Sequence, residues 1–242
     1  MNSRGLVGGF AAAAFGAIVA VVAMHGVGGG GGKAPDPAAT GAIVHAYLLD
    51  HPEVITEAME RLQDKQTGSL IDAHRVAIAT PFPGAVAGNP KGDVTLTEYF
   101  DYACGYCRAS VGDVDKLVAS DPGVRIVFKE LPILSPWSGA AAKLSLAAAQ
   151  AGKFVAFHHA LYAAGPLDAA KVAQAGVAAG LDPKIAEGPA VAAEIQTNLD
   201  TARDLHLSGT PTFVVGDQLL AGAIGYQGLK DAVDKARAAK AG

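Results

Sequence analysis

Hydrophobic and polar side chains alternate along residues 93–100, and this period of two predicts a half-buried strand. One face of that strand carries Val94, Leu96, Glu98 and Phe100. A second apolar strand is predicted over residues 124–129, and a hairpin over residues 213–221. A helical, alanine-rich pattern lies between them at about 135–205. The order of these elements predicts an α/β main domain over residues 82–242 with a helical insertion.

The N-terminus carries an uncharged apolar run over residues 6–24, after Arg4 and before a glycine tract. Residues 1–25 are therefore interpreted either as a cleaved signal peptide or as an uncleaved membrane anchor. The run is long for a signal sequence and its cleavage site is weak, which favours the anchor. Both interpretations place the rest of the chain outside the cytoplasm, where disulfide chemistry is permitted.

A linker rich in glycine, proline and alanine is predicted over residues 26–39, and a helical segment over residues 40–81. Within this segment, the stretch from Asp50 to Glu53 is typical of a helix start, and an apolar stripe follows it. The stripe has two interpretations. It docks on the main domain, or residues 40–66 assemble the chain into a homo-oligomer.

Composition and charge exclude several classes of function. The formal net charge is −4 and the basic residues are not clustered, so no nucleic-acid partner is predicted. The chain has two cysteines, Cys104 and Cys107, which form a single C-x-x-C motif. A structural zinc site needs a second pair of Cys or His ligands, so no metal site is predicted. The loop between the two thiols is too short to act as a structural staple, which favours a redox pair.

The chemistry of this pair follows from its place in the predicted fold. A helix begins near Cys104, shortly after the strand that ends at Phe100. Unpaired backbone N–H groups and the helix dipole favour a negative charge there, so Cys104 is predicted to be the attacking thiolate. Cys107 lies one turn later and is predicted to resolve the mixed disulfide. Gly105 and Tyr106 supply neither a charge nor a histidine donor, which indicates a less oxidising pair.

Glu98 lies six residues before Cys104, on the apolar face of its strand. A carboxylate there is unfavourable unless it has a role or a partner. It is predicted to accept the proton of Cys107, through water, as that thiol attacks; an edge position open to solvent is the alternative. Lys129, at the end of the second strand, is either a partner of Glu98 or an ordinary exposed strand end.

The motif Gly-Thr-Pro-Thr-Phe at residues 209–213 opens the predicted hairpin. A proline at the start of a strand suits either a cis peptide in a tight turn or a trans proline on an edge strand. Beside a redox pair, the cis form is the better interpretation. It exposes the backbone of Thr210 before Pro211, so these two residues, with Gly105 and Tyr106, are predicted to bind an extended substrate.

Together these motifs resemble the DsbA-type branch of the thioredoxin superfamily. The resemblance covers about residues 82–240 and rests on residues 98–107, the strand at 124–132 and the motif at 209–213. It implies a thioredoxin fold with an inserted helical domain. The roles that it implies are nucleophile for Cys104, resolving thiol for Cys107, buried acid for Glu98 and cis-proline for Pro211.

Within this branch the chain is most similar to the suppressor-of-copper-sensitivity C proteins. These also place a helical segment resembling residues 46–55 before the thioredoxin domain, and in some of them that segment trimerises. The Cys-Gly-Tyr-Cys motif, with Thr before the cis-proline, is also similar to disulfide isomerases of the DsbC type. The Pro-His dipeptide of the monomeric DsbA oxidases is absent, which argues against a strong oxidase.

The expected function is therefore that of a periplasmic protein disulfide isomerase or reductase. Its expected partners are exported proteins that contain cysteines and a membrane redox partner, and its only redox group is the Cys104–Cys107 disulfide. The anchor interpretation tethers it to the inner membrane. A dithiol oxidase is the alternative. A copper-binding thiol protein is a more distant one, because Cu(I) suits thiolates but the chain has only three methionines and no Met or His cluster.

Overall fold

The computed structural model describes residues 36–181 and 186–241. The signal or anchor interpretation of residues 1–25 lies outside the described residues. Contacts divide the chain into two units, Met1–Ile55 and Thr56–Gly242. No helix within the two described ranges is both long and apolar enough to cross a bilayer.

The first unit contains helix α1 (Pro37–Asp50) and the first residues of helix α2 (Glu53–Ala79). Asp36 caps α1, because its carboxylate accepts the Ala38 N–H at 3.1 Å, and a proline in the first turn suits a helix start. No residue of α1 is buried within the described chain. Its large apolar side chains are exposed, namely Ile43, Val44, Tyr47 and Leu49.

The second unit is built on a mixed sheet of five strands. These are β1 (Val86–Gly88), β2 (Val94–Phe100), β3 (Val124–Glu130), β4 (Thr212–Val215) and β5 (Gln218–Ala221). Their order across the sheet is β1-β3-β2-β4-β5, with β2 and β3 parallel and the other pairs antiparallel. A parallel pair needs a crossover, which helix α3 (Gly105–Ser120) provides. The predicted strands and hairpin are confirmed; β1 is too short to show a pattern and was not predicted.

Helices fill the region between β3 and β4, as the α/β interpretation predicts. They are α4 (Ser138–Gln150), α5 (Phe154–Ala163), α6 (Ala169–Ala178) and α7 (Pro189–Asp204), and α8 (Gly225–Ala241) follows the hairpin. Local signals explain two of the starts. The Asp168 carboxylate accepts the Lys171 N–H at 2.8 Å before α6, and α7 begins at a proline.

The two faces of the sheet pack against different helices. One face, which includes Leu96 and Phe100, belongs to the larger core with α3, α4, α5 and α8. The other face, which includes Tyr99, packs against α2 through Ile71 and against α7 through Ala202. Because side chains alternate along a strand, neighbouring residues of β2 and β3 enter two separate cores.

Candidate active site

Cys104 is the N-cap residue of α3, in an extended backbone conformation (φ −80°, ψ 119°). Strand β2 ends at Phe100, and a turn in which the Cys104 N–H donates to the Asp101 carbonyl at 2.9 Å leads into the helix. The Cys107 N–H donates to Cys104 Sγ at 3.3 Å. The sulfur therefore accepts from one of the N–H groups that a helix start leaves unpaired. The helix dipole places a partial positive charge at the same end of the helix. A helix start is in general a favourable place for a negative charge.

Cys107 follows one turn later and is buried, and the two cysteines are free thiols. Burial raises the pKa of the Cys107 thiol, and the nearby Glu98 carboxyl adds to this effect. The backbone of Asp101 and the side chain of Thr210 have the opposite, smaller effect and lower the pKa of this thiol. Cys107 is thus a thiol that needs a proton acceptor before it can attack.

Glu98 lies on the face of the sheet that also carries Leu96 and Phe100, and its side chain is buried, with 3% of the residue exposed. Burial raises the pKa of its carboxyl to about 8, and the charge of Asp115 contributes in the same direction. At neutral pH the group therefore holds a proton for most of the time, and it exchanges that proton near pH 8. The edge position open to solvent is excluded by its burial.

Lys129 does not pair with Glu98. It lies beside Tyr99 in the parallel register, so its side chain enters the opposite core. Its Nζ donates to a Glu194 carboxylate oxygen at 2.9 Å and to the Thr80 carbonyl at 2.7 Å. Because the residue is 1% exposed, the interpretation as an ordinary exposed strand end is also wrong.

Thr210 and Pro211 are joined by a cis peptide bond, as the motif predicts. The Thr210 carbonyl accepts a hydrogen bond from Cys104 Sγ at 3.1 Å. This contact follows from the sheet, because Thr212 of β4 pairs with Tyr99 near the end of β2. Gly105 and Tyr106 are exposed beside the thiols, so all four predicted substrate-binding residues lie around the cysteines.

Sequence analysis assigned no role in the site to several buried polar residues near the thiols. Asp101 follows β2 directly, and Glu130 shares the face of Glu98 because it pairs with Phe100 across β2 and β3. Burial raises the pKa of Glu130 well above its usual value. Tyr102 links two further buried groups, because its hydroxyl lies 2.8 Å from Ser145 Oγ and 3.1 Å from His158 Nδ1. Alternation along β3 could have identified Glu130.

The arrangement can exchange disulfides. One thiol sits at a helix start, a second buried thiol lies one turn away, and a buried acid that titrates near pH 8 shares their side of the sheet. In the part of the chain that the structure describes, no cluster of three or more His, Cys, Asp or Glu residues could hold a metal ion. The fold and the site together define a thioredoxin-type redox protein.

Comparison with known families places the chain more closely. The model of the DSBA-like thioredoxin domain matches residues 95–234, and that of the copper resistance protein ScsC N-terminal domain matches residues 37–67. The chain belongs to the DSBA-like thioredoxin family of thiol–disulfide oxidoreductases. It also carries the ScsC-type N-terminal segment that the resemblance implied.

Solved structures agree with this assignment. A thioredoxin-like oxidoreductase from Silicibacter pomeroyi DSS-3 is 42% identical, with a TM-score of 0.63 over 67% of this chain and 97% of that one. The catalytic domain of Proteus mirabilis ScsC is 26% identical, with a TM-score of 0.65 over 71% and 98%. A periplasmic thioredoxin-like protein from Salmonella enterica serovar Typhimurium is 28% identical, with a TM-score of 0.59 over 68% and 95%.

Among curated proteins, the chain is 32% identical over 157 residues to the Na(+)/H(+) antiporter NhaA 3 of Salinispora tropica. The match covers 61% of this chain and 24% of the antiporter. The chain thus spans about a quarter of the length of the curated relatives that it matches.

Proposed function

We propose that the chain is an exported thiol–disulfide oxidoreductase that reduces and isomerises disulfides in other exported proteins. The observation that carries this proposal is the position of Cys104. Its sulfur lies between the Cys107 N–H at 3.3 Å and the Thr210 carbonyl at 3.1 Å, at a helix start. A helix start is a favourable place for the negative charge of an attacking sulfur, and the Thr210 carbonyl, which accepts from the thiol form, marks the backbone along which an extended substrate can align.

The proposed reaction begins when the Cys104 thiolate attacks one sulfur of a client disulfide. A Cys104–client disulfide forms, and the other client sulfur leaves as a thiolate. In isomerisation, a client thiolate then attacks the mixed disulfide and releases Cys104. In reduction, Cys107 gives its proton to Glu98 in its ionised form, a minor fraction at neutral pH because the pKa of that carboxyl is about 8, and then attacks the Cys104 sulfur. The Cys104–Cys107 disulfide forms and the client sulfur leaves as a thiolate. A membrane redox partner then reduces that disulfide.

The isomerase or reductase direction is supported by the middle residues of the motif and by the N-terminal helices. Gly105 and Tyr106 add no charge that would stabilise the reduced form strongly. Four exposed apolar side chains on α1, within a segment that matches the ScsC N-terminal domain, favour a homo-oligomer in which several dithiols face one client. The alternative is a dithiol oxidase, which would be oxidised in the cell.

Trapping free thiols in freshly lysed cells separates these directions. A mostly reduced Cys104–Cys107 pair is expected, and a mostly oxidised pair would contradict the isomerase. Cys107→Ala is expected to accumulate mixed disulfides with clients, since Cys104 can attack but nothing resolves the product. Cys104→Ala is the matched control and should accumulate none. If Cys104→Ala still reduces insulin disulfides, the redox function itself is wrong.

The homo-oligomer is tested by the solution mass of the exported chain. Replacing Ile43 and Leu49 by serine removes two exposed apolar side chains of α1 and is expected to reduce the assembly to monomers. Val177→Ser on α6 removes an equally exposed side chain elsewhere and should leave the mass unchanged. A monomeric wild type would remove the oligomer from the proposal.

A periplasmic location is part of the proposal. It is supported by the uncharged apolar run of residues 6–24 and by the similar Salmonella protein, which is described as periplasmic. Fractionation of cells that express the full chain tests it. Release of the protein with the periplasmic fraction would indicate signal cleavage, retention with the inner membrane would indicate the anchor interpretation, and recovery in the cytoplasm would contradict the proposal.

A further inference from the structure

Asp101 is buried between the end of β2 and the cysteines, and both of its carboxylate oxygens are fully bonded. Oδ1 accepts the Ala103 N–H at 2.8 Å and the Ser138 hydroxyl at 2.7 Å. Oδ2 accepts the Ile133 N–H at 2.8 Å and the Leu134 N–H at 2.9 Å. Four donors match the capacity of a carboxylate, which has two acceptor sites on each oxygen. The side chain therefore joins two loops that are about thirty residues apart in sequence.

The backbone of Asp101 contacts both redox residues. Its carbonyl accepts the Cys104 N–H at 2.9 Å and the Tyr162 hydroxyl at 3.0 Å. Its backbone also acts on Cys107, because it lowers the pKa of that thiol against the larger effect of burial. A displacement of Asp101 would therefore change the hydrogen bonds of Cys104 and Cys107 together.

The second loop is residues 131–137, which we call the docking loop. Its start is fixed by the Leu131 N–H, which donates to the Phe100 carbonyl at 2.8 Å. Three large apolar side chains of the loop are exposed, namely Ile133 (50%), Leu134 (53%) and Trp137 (44%). Single exposed apolar residues are ordinary, but three in one short loop beside a redox centre point to a binding surface.

We propose that Asp101 is a positioning residue that fixes the docking loop beside Cys104, so that the loop binds apolar residues flanking a client's disulfide. The inference rests on the proposed function. Its occupant is an extended, apolar segment of an unfolded protein. A client sulfur that is bonded covalently to Cys104 places its neighbouring residues against the loop that Asp101 holds there. A small disulfide has no flanking residues and does not use this surface.

The first test compares two substrates. Ile133→Ser/Leu134→Ser is expected to raise the KM for ribonuclease with randomly paired disulfides about tenfold, because apolar contact is lost. Exchange with oxidised glutathione should remain at the wild-type rate. Val155→Ser/Val177→Ser, on two other exposed apolar positions, should change neither rate. An unchanged KM for ribonuclease in the loop variant would overturn the proposal.

The second test addresses Asp101 itself. Asp101→Asn keeps the shape but turns one oxygen into a donor, which cannot accept from the N–H groups that it faces. We expect the same rise in KM. We also expect an approximately tenfold fall in the equilibrium constant for oxidation of glutathione, about 30 mV towards a more reducing couple, because a shift of the turn between Asp101 and Cys104 weakens the bond from the Cys107 N–H to the Cys104 sulfur. Adding the loop substitutions to Asp101→Asn should raise the KM little further.

Asp121→Asn is the matched control for a purely structural effect. Asp121 ends α3, where its carboxylate accepts the Gly123 N–H at 2.9 Å and pairs with Arg237. It should lower stability without changing the potential or the KM. If Asp101→Asn behaves like Asp121→Asn, the positioning role is wrong. If the wild type exchanges neither substrate, the proposed function fails instead, so the two failures are distinguishable.

Discussion

The two faces of the central sheet accommodate buried charge in opposite ways. Towards α2 and α7, Lys129 is buried with its Nζ 2.9 Å from the Glu194 carboxylate. Towards the cysteines, Glu98 and Glu130 are buried without a paired cation among the residues that the structure describes. Both situations occur on β2 and β3, so the difference follows from the alternation of side chains along two strands.

The contrast separates a structural group from a chemical one. A buried ion needs a partner of opposite charge, and a lysine that has one serves to join elements. A buried carboxyl without a cation instead becomes neutral, and its pKa rises into the range where it can exchange a proton at cellular pH. The cysteines lie on the side of the sheet that carries these carboxyls.

The largest expected effect is on the pH dependence of stability. The pKa of Glu98 is about 8 in the folded protein, against a usual 4.5. Between these values the folded state keeps a proton that the unfolded state has lost, so stability falls as pH rises through this window. The expected loss is on the order of 5 kcal/mol, and Glu130 adds a loss of the same sign. Urea unfolding at a series of pH values measures it.

Glu98→Gln should reduce this slope, and Glu98→Gln/Glu130→Gln should remove most of it. Glu187→Gln is the control, because Glu187 is exposed and pairs with Lys143 at the surface. If the double variant keeps the wild-type dependence of unfolding free energy on pH, Glu98 and Glu130 are not the buried neutral groups that cause it.

The next effect concerns the opposite face. Lys129→Met leaves the Glu194 carboxylate and the Thr80 carbonyl without their donor, and we expect a loss of about 3 kcal/mol in unfolding free energy. Lys129→Met/Glu194→Met should recover most of that loss. Chemical denaturation measures both, while the reduction potential should stay unchanged. If the double variant is as unstable as the single one, the charge pair is not what stabilises this face.

A kinetic effect is expected for Glu98→Gln. Below pH 8 the protonated Glu98 can protonate the Cys107 thiolate as it leaves, when a thiol attacks the Cys104–Cys107 disulfide. Without this acid, reduction by glutathione should slow about a hundredfold, at the low end of general acid catalysis because water can replace the group. The wild-type rate should fall above pH 8, and the variant should show no such transition. Stopped-flow measurements of the reduction rate against pH test both expectations. If the variant keeps the fall in rate above pH 8, a group other than Glu98 causes it.

The smallest effect is expected for a neutral polar group of the redox side. Tyr102→Phe removes the hydroxyl that bonds Ser145 and His158. Because burial lowers the pKa of His158 to about 3, no charge is exposed by this change. We expect a loss of about 1 kcal/mol by thermal unfolding, with the reduction potential retained. If the loss in unfolding free energy is as large as that of Lys129→Met, a neutral hydrogen-bonded group stabilises the fold as much as the buried charge pair does.

Local patterns predicted much of the site. The alternation of residues 93–100 gave Glu98 its buried face, and the break after Phe100 gave Cys104 its place at a helix start. The Thr-Pro motif gave the cis peptide beside the cysteines. The first two predictions depend on residues that are close together in sequence. The third depends on the Thr-Pro motif, which indicates a cis peptide only when it is considered together with the cysteine pair.

Partners from distant parts of the chain could not be predicted. Lys129 was interpreted either as a partner of Glu98 or as an exposed strand end, but its carboxylate partner is Glu194, which α7 brings to the opposite face. Asp101 was not identified at all, because its role depends on how the loop after β3 packs against it. Which charges meet is decided by the packing of whole helices, and no local period encodes it.

The docking loop also gives the protein an optical signal of its own. Trp137 is the single tryptophan of the chain, it is partly open to solvent, and it directly precedes the serine that bonds Asp101. Its fluorescence therefore comes from one place, next to the thiols. Emission spectra can follow oxidation of the dithiol and the arrival of a client in real time, without any attached dye.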